Sequence, residues 1–386
     1  MLEQTKTKTK TNTEIEIEIK TKSNRILSLD VFRGLTMALM ILVNAQGTRT
    51  PYALIAHADW HGGTLADLVF PFFLYIVGLT SVIALNRQRD VNKSILYRVI
   101  LKRSIILFLL GLILNIFPYH FDLIDVRYFG ILQRIAVCYF CCSLLYLNTS
   151  IKTQFLIFLA ILGGYWFIMT QIPVPGFGAN QLTQSGNWEA YIDRLLFSTN
   201  HLFGKVYDPE GFLSTFPSIA TTLLGLLTGS LLLTSLSNRK KLYTLVAVGL
   251  TCVVLSWLWN AHFPINKNIW TSSFVLWSGG YAFLVFAVCF YLIDMLGYTS
   301  WAWPLKIFGM NALFIFIVHV LLLKIQTMLH FTLKNGKVDN LRVVITDSLF
   351  GQFSTQNAGL FYAVGFVFLN FLIALYLYKR RIFIKI

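Results

Sequence analysis

Residues 44–78 read NAQGTRTPYALIAHADWHGGTLADLVFPFFLYIVG. From Leu65 the run turns apolar and stays so to Ala84, with Asp67 its one charged residue. Roughly 20 apolar residues in a helix cross a hydrocarbon core of about 30 Å. The run therefore reads as a membrane span, and that reading decides the fold. The half before it is polar and holds Asn44, His57, Asp59, Trp60 and His61. A polar or ionisable group placed in hydrocarbon costs several kcal/mol or more unless it is partnered, roughly speaking. The loop 46–64, with Asn44 and Asp67 at the ends of the spans it joins, is where chemistry is expected.

The whole chain repeats the apolar signal. It has 386 residues, 56% hydrophobic and 13% charged, against about a quarter charged in soluble domains. The net charge of +15 does not indicate nucleic acid, because the basic residues sit in loops between apolar runs, and no nucleic-acid partner is expected. Cys138, Cys141 and Cys142 share one apolar run, with Cys252 and Cys289 in others. They read as buried thiols rather than a disulfide framework or a zinc site.

Ten spans are read near 31–46, 65–84, 104–118, 130–147, 154–173, 212–234, 242–260, 270–292, 305–324 and 360–378. The expected fold is an all-α polytopic membrane protein, a bundle of about ten transmembrane helices with both termini cytoplasmic. Residues 1–24, rich in Thr-Lys and Glu-Ile repeats, read as a disordered tail with no apolar signal segment. Residues 25–386 form one transmembrane domain. Lysines and arginines set the orientation by the positive-inside rule. With the N-terminus inside, twenty-one fall in inside segments and nine in outside loops. The His57 loop is then extracytoplasmic, as are 174–211 and 325–359. A multi-pass protein of the plasma (inner) membrane is expected, with the lipid bilayer as one partner.

A histidine suits a general base or an acyl carrier, which makes His57 a candidate for either. Asp67 either orients that imidazole or serves as a helix cap or structural ion pair. Asn44 offers an amide to a developing oxyanion, or simply caps the first span. His57 and His61 have helical metal-ligand spacing, but Gly62-Gly63 opposes a helix there, and no metal is expected. Asp30 and Arg33 have the spacing of an ion pair on one helix face. Arg134, a turn inside the fourth span, either snorkels outward or pairs with a carboxylate such as Asp67. Asn311 and His319 share a face of the ninth span, as helix–helix hydrogen-bonding residues do. In Tyr207-Asp-Pro-Glu-Gly211, Asp208 and Glu210 suit a cationic or polyhydroxyl group.

Seven ordered motifs carry a resemblance. They are Ser28-Leu-Asp-Val-Phe-Arg-Gly34, His57-Ala-Asp-Trp60, Ala66-Asp-Leu-Val-Phe-Pro71, Gly130-Ile-Leu-Gln-Arg134, Tyr207-Asp-Pro-Glu-Gly211, Asn266-Lys-Asn-Ile-Trp-Thr-Ser272 and Phe308-Gly-Met-Asn311. Together they resemble the heparan-α-glucosaminide N-acetyltransferase family. The resemblance implies transfer of an acetyl group from cytoplasmic acetyl-CoA, the co-substrate, to the amine of a glucosamine-type sugar outside. It implies His57 as the active residue, with Asn44 and Asp67 beside it. Arg98, Lys102, Arg103 and Arg134 are then candidates for the CoA phosphates, and Asp208, Glu210, Trp60 and His61 for the amino-sugar or glycan acceptor. Two other readings stay open: an O-acyltransferase of a surface polysaccharide, and a transporter of a sugar or lipid-linked sugar. A homodimer is one arrangement left open.

Overall fold

A computed structural model describes residues 26–48, 50–117, 125–332 and 338–384. The tail read over 1–24 lies outside the described residues. Among those described, nine helices are long and apolar enough to cross a membrane, and one further pair passes only as a bent unit. In chain order they begin with α1 (Leu27–Asn44), α2 (Leu65–Asn86), α3 (Lys93–Ile116), α4 (Ile131–Asn148) and α5 (Ile151–Gln171). A short α6 (Trp188–Leu196) leads to α7 (Thr215–Leu232), α8 (Asn238–Asn260) and α9 (Ser272–Cys289). The bent pair is α10 (Trp303–Met310) and α11 (Ala312–Met328). A small antiparallel hairpin, β1 (His330–Thr332) with β2 (Val338–Asn340), precedes α12 (Leu341–Phe350) and α13 (Thr355–Lys379).

The centre of the bundle follows from small residues. Helices α2 and α7 are each 72% buried, whereas α3 and α8 are 22% buried and form the rim. A Cβ on Gly78 would fall 1.9 Å from the Thr222 carbonyl oxygen, and one on Gly225 would fall 1.9 Å from that of Tyr75. Backbone therefore meets backbone along α2 and α7, the close approach that small residues permit between membrane helices. The hydroxyls on this face do not stay unpaired. Ser218, Thr222 and Thr228 each donate one turn back to a carbonyl of α7 or its N-cap residue. The Tyr75 and Thr228 hydroxyls bond each other at 2.6 Å. Gly34 and Gly309 bring α1 and α10 together in the same manner.

Two spans differ from the sequence reading. The third begins at Lys93 rather than near 104, because the Asn92 side chain caps it by accepting the Ser94 N–H at 2.9 Å. Arg98, Lys102 and Arg103 thus ride on the helix instead of preceding it. The expected continuous ninth span bends by 83° between α10 and α11. Asn311 sits at the bend and holds the chain end, donating to the Ile382 carbonyl and accepting the Ile384 N–H, each at 3.0 Å. The pairing of Asp30 with Arg33 is present at 3.3 Å. Pro71 lies inside α2 without ending it.

Candidate active site

The loop after α1 is tied down before it reaches His57. Gln46 donates back to the Leu42 carbonyl, and Tyr52 donates to Asn357 at the start of α13. Thr64 donates to the Ala56 carbonyl at 2.6 Å, closing the loop just before His57. Gly62, directly after His61, has φ +108°, a left-handed conformation that a helix does not adopt. The Gly62 N–H donates to the Ile265 carbonyl at 2.7 Å, joining this loop to the one before α9.

Asp67 occupies the first turn of α2 and is 1% exposed. Its two oxygens divide the roles that the sequence left open. Oδ2 accepts the backbone N–H groups of Ala58 and Thr64, each at 3.1 Å, and the Thr64 hydroxyl oxygen, whose hydrogen goes to Ala56, lies as close. That oxygen closes the helix start, where free N–H groups need partners. Oδ1 lies 2.8 Å from His57 Nδ1. A carboxylate only accepts, so Nδ1–H donates to it and the lone pair of the neutral ring falls on Nε2. The imidazole is about half exposed, so Nε2 is available to a ligand.

Lys267 completes the group. Its Nζ stands 3.1 Å from His57 Nδ1 and 3.4 Å from Asp67 Oδ1. Burial draws Lys267 below the ordinary lysine value, while Asp67 and Glu210 pull the other way. Burial also draws His61 below the ordinary histidine value. A cavity of about 280 Å³ is lined by His57, Asp67, Lys267, Asn44, Arg127 and Glu210, among others. Arg127 grips Asp208 with two bonds of 2.6 and 2.8 Å and also pairs with Glu210. Glu210 and Asp208 outweigh the effect of burial and hold Arg127 above arginine's ordinary value. Asn44 Nδ2 lies 3.4 Å from Nε2 of the fully buried His319, which steadies its amide at the cavity edge.

A model of the family described as heparan-alpha-glucosaminide N-acetyltransferase, catalytic, matches residues 25–261. The chain belongs to this family. The Homo sapiens heparan-alpha-glucosaminide N-acetyltransferase is 31% identical over 360 residues, covering 76% of this chain and 52% of the relative. Its Mus musculus counterpart is 30% identical over 362 residues, covering 78% and 54%. The chain spans about half the length of the curated relatives it matches.

Within this member of the N-acetyltransferase family, the structure brings His57, Asp67, Asn44 and Glu210 to one cavity. It places the other sequence candidates elsewhere. Asp208 is fully buried beneath Arg127 and also accepts the Phe203 and Glu210 N–H groups, so it holds the loop. Trp60 donates to the Leu182 carbonyl and packs edge-on to Tyr207. His61 Nδ1 lies 3.3 Å from Asn266 Nδ2. Arg134 does not reach Asp67. It is 2% exposed, donates to the Gly211 carbonyl and the Ser214 hydroxyl, and lies 5.1 Å from the Trp270 ring centre. Arg103 lines a second cavity, while Arg98 and Lys102 are exposed and line neither.

Lys267 and Arg127 are the residues lining this cavity that sequence reasoning missed. In the sequence both read only as basic residues of outside loops. Lys267 stood in a quoted motif, and a charge between two asparagines in a loop abutting a span was the available signal. Among the described residues, no three His, Cys, Asp or Glu side chains gather as metal ligands.

Proposed function

We propose that this protein is a membrane N-acetyltransferase that transfers an acetyl group from cytoplasmic acetyl-CoA to the amine of a glucosamine-type sugar on the other side. The observation that carries the reading is the His57–Asp67 pair, 2.8 Å apart, inside a cavity that Asn44 also lines. A sugar amine must lose a proton to attack a thioester carbonyl. His57 Nε2 takes that proton, and Asp67 fixes the ring so that this nitrogen carries the lone pair. Asn44 supplies an N–H to the carbonyl oxygen as charge builds there. The new bond is carbon to nitrogen, the thioester carbon–sulfur bond breaks, and the proton on His57 leaves with the thiolate. The names of the relatives support a glucosaminide acceptor.

Sidedness rests on two further observations. A second cavity of about 390 Å³ is lined by Arg33, Gln88 and Arg103 together with many apolar residues. Both cavities are lined by Met40 and Ile131, so they share part of a wall. The guanidiniums fit a phosphorylated carrier, and the basic residues concentrate in the segments read as cytoplasmic. This supports a donor that enters from inside and an acceptor that meets His57 from outside, in a plasma-membrane setting.

The test uses purified protein in detergent with labelled acetyl-CoA and glucosamine. Acetyl amide should form, and His57→Ala should abolish it while the variant keeps a normal melting temperature. Full activity in folded His57→Ala sinks the assignment. An ester product would move the reading to O-acylation.

A further inference from the structure

His57 Nδ1 faces two groups that make opposite demands on it. Asp67 Oδ1, at 2.8 Å, requires a proton on Nδ1. Lys267 Nζ, at 3.1 Å, carries hydrogens of its own and as an ammonium can only donate. Nδ1 cannot serve both at once. The ammonium is satisfied instead by Asp67 Oδ1, 3.4 Å away, while Nδ1–H also points at that oxygen. One carboxylate oxygen is thus shared by the lysine and the imidazole, which also face each other directly.

We propose that Lys267 is a positioning residue that keeps His57 from holding the proton it takes from the acceptor. The proposal rests on His57 acting as the base. A cation about 3 Å from the ring raises the energy of the imidazolium. It also occupies part of the negative charge on Asp67 that would otherwise stabilise the imidazolium. A proton taken onto Nε2 therefore has a repulsive neighbour in the Lys267 ammonium. The proton passes on to the leaving thiolate instead of blocking the next cycle.

The other groups around the cavity do not supply this function. Arg127 and Glu210 are paired with each other, and Arg127 is further held by Asp208. Asn44 and Asn268, which also line it, carry no charge. His61 is turned to Asn266, and His319 lies behind Asn44. Lys267 is also only 20% exposed, so water screens its charge incompletely.

The sign of the test follows directly. Removing the cation stabilises the imidazolium, so a higher pH is needed to free the base. In Lys267→Met the acid limb of the pH profile of kcat/KM should move to higher pH by about one unit or more, a tenfold loss of activity below neutral pH recovered at high pH. Lys267→Gln should behave like Lys267→Met, and Lys267→Arg should return the limb toward its original position. A profile that keeps its pH dependence while falling uniformly, with no rescue by Lys267→Arg, overturns the proposal and assigns Lys267 a structural role. The underlying assignment is judged separately. If folded His57→Ala retains acetyl transfer, that assignment fails. If it loses transfer while the Lys267 variants keep the wild-type profile, the base stands and this inference falls.

Discussion

At the scale of single residues, Asp67 carries two jobs on two oxygens, and a substitution separates them. In Asp67→Asn the amide oxygen still accepts the Thr64 and Ala58 N–H groups, so the helix start survives. The amide nitrogen then faces His57 Nδ1, and as a donor it favours the ring with the proton on Nε2. Turnover should fall by a factor on the order of 10²–10⁴, the cost when a carboxylate no longer fixes the tautomer, while the melting temperature changes little. A drop in melting temperature with unchanged turnover per folded molecule would mark Asp67 as structural only. That His57, Asp67 and Asn44 come together was legible because charged and amide groups next to spans demand partners. Lys267 was not, because its partners lie 200 and 210 positions away in sequence, and a loop lysine outside the membrane ordinarily meets only water.

Helices add what single residues cannot. The α2–α7 contact depends on Gly225, where any Cβ meets the Tyr75 backbone, whereas Gly163 on α5 has nothing within 4 Å. Gly225→Ala should destabilise the protein by about 1–3 kcal/mol, as overpacking does. Gly163→Ala should be neutral or stabilising by up to about 1 kcal/mol through helix propensity. Thermal melts of both variants in one detergent check the contrast, and equal melting temperatures would deny the backbone contact.

Helix α6 behaves differently, because it buries Glu189 and Asp193 completely. Burial raises Asp193 to about 7, with Asp208 adding to the effect and the Phe212 N–H opposing it. A carboxyl raised in the folded state binds more protons folded than unfolded between about pH 4 and 7. Stability therefore declines as pH rises through that window. Asp193→Asn, which keeps an oxygen for the Phe212 N–H, should melt higher at pH 8 than the wild type and show a flatter dependence. A steeper dependence in the variant would contradict the argument. Neither the glycine contact nor the buried acids could be read from sequence, since both depend on which helices become neighbours.

At the scale of the molecule, the number of apolar runs and most of their positions followed from hydropathy, because the bilayer sets one length for every crossing. The bend at Asn311 did not, since its cause is a tertiary bond to the chain end. What the whole fold adds is a candidate path. Of two cavities that share Met40 and Ile131, one is lined by Arg33 and Gln88 and the other by His57. If acetyl transfer uses that path, the two substrates must be offered on opposite faces. In sealed vesicles of known orientation, acetyl-CoA should work only on the face carrying the 87–93 loop, and glucosamine only on the face carrying His57. Widening Met40 to Trp, at the junction, should slow transfer from acetyl-CoA by tenfold or more while the protein still folds. Activity with both substrates on one face would overturn the transmembrane route, and an unimpaired Met40→Trp variant would show that the shared wall is not the passage. In either case the His57–Asp67 chemistry would stand on its own test.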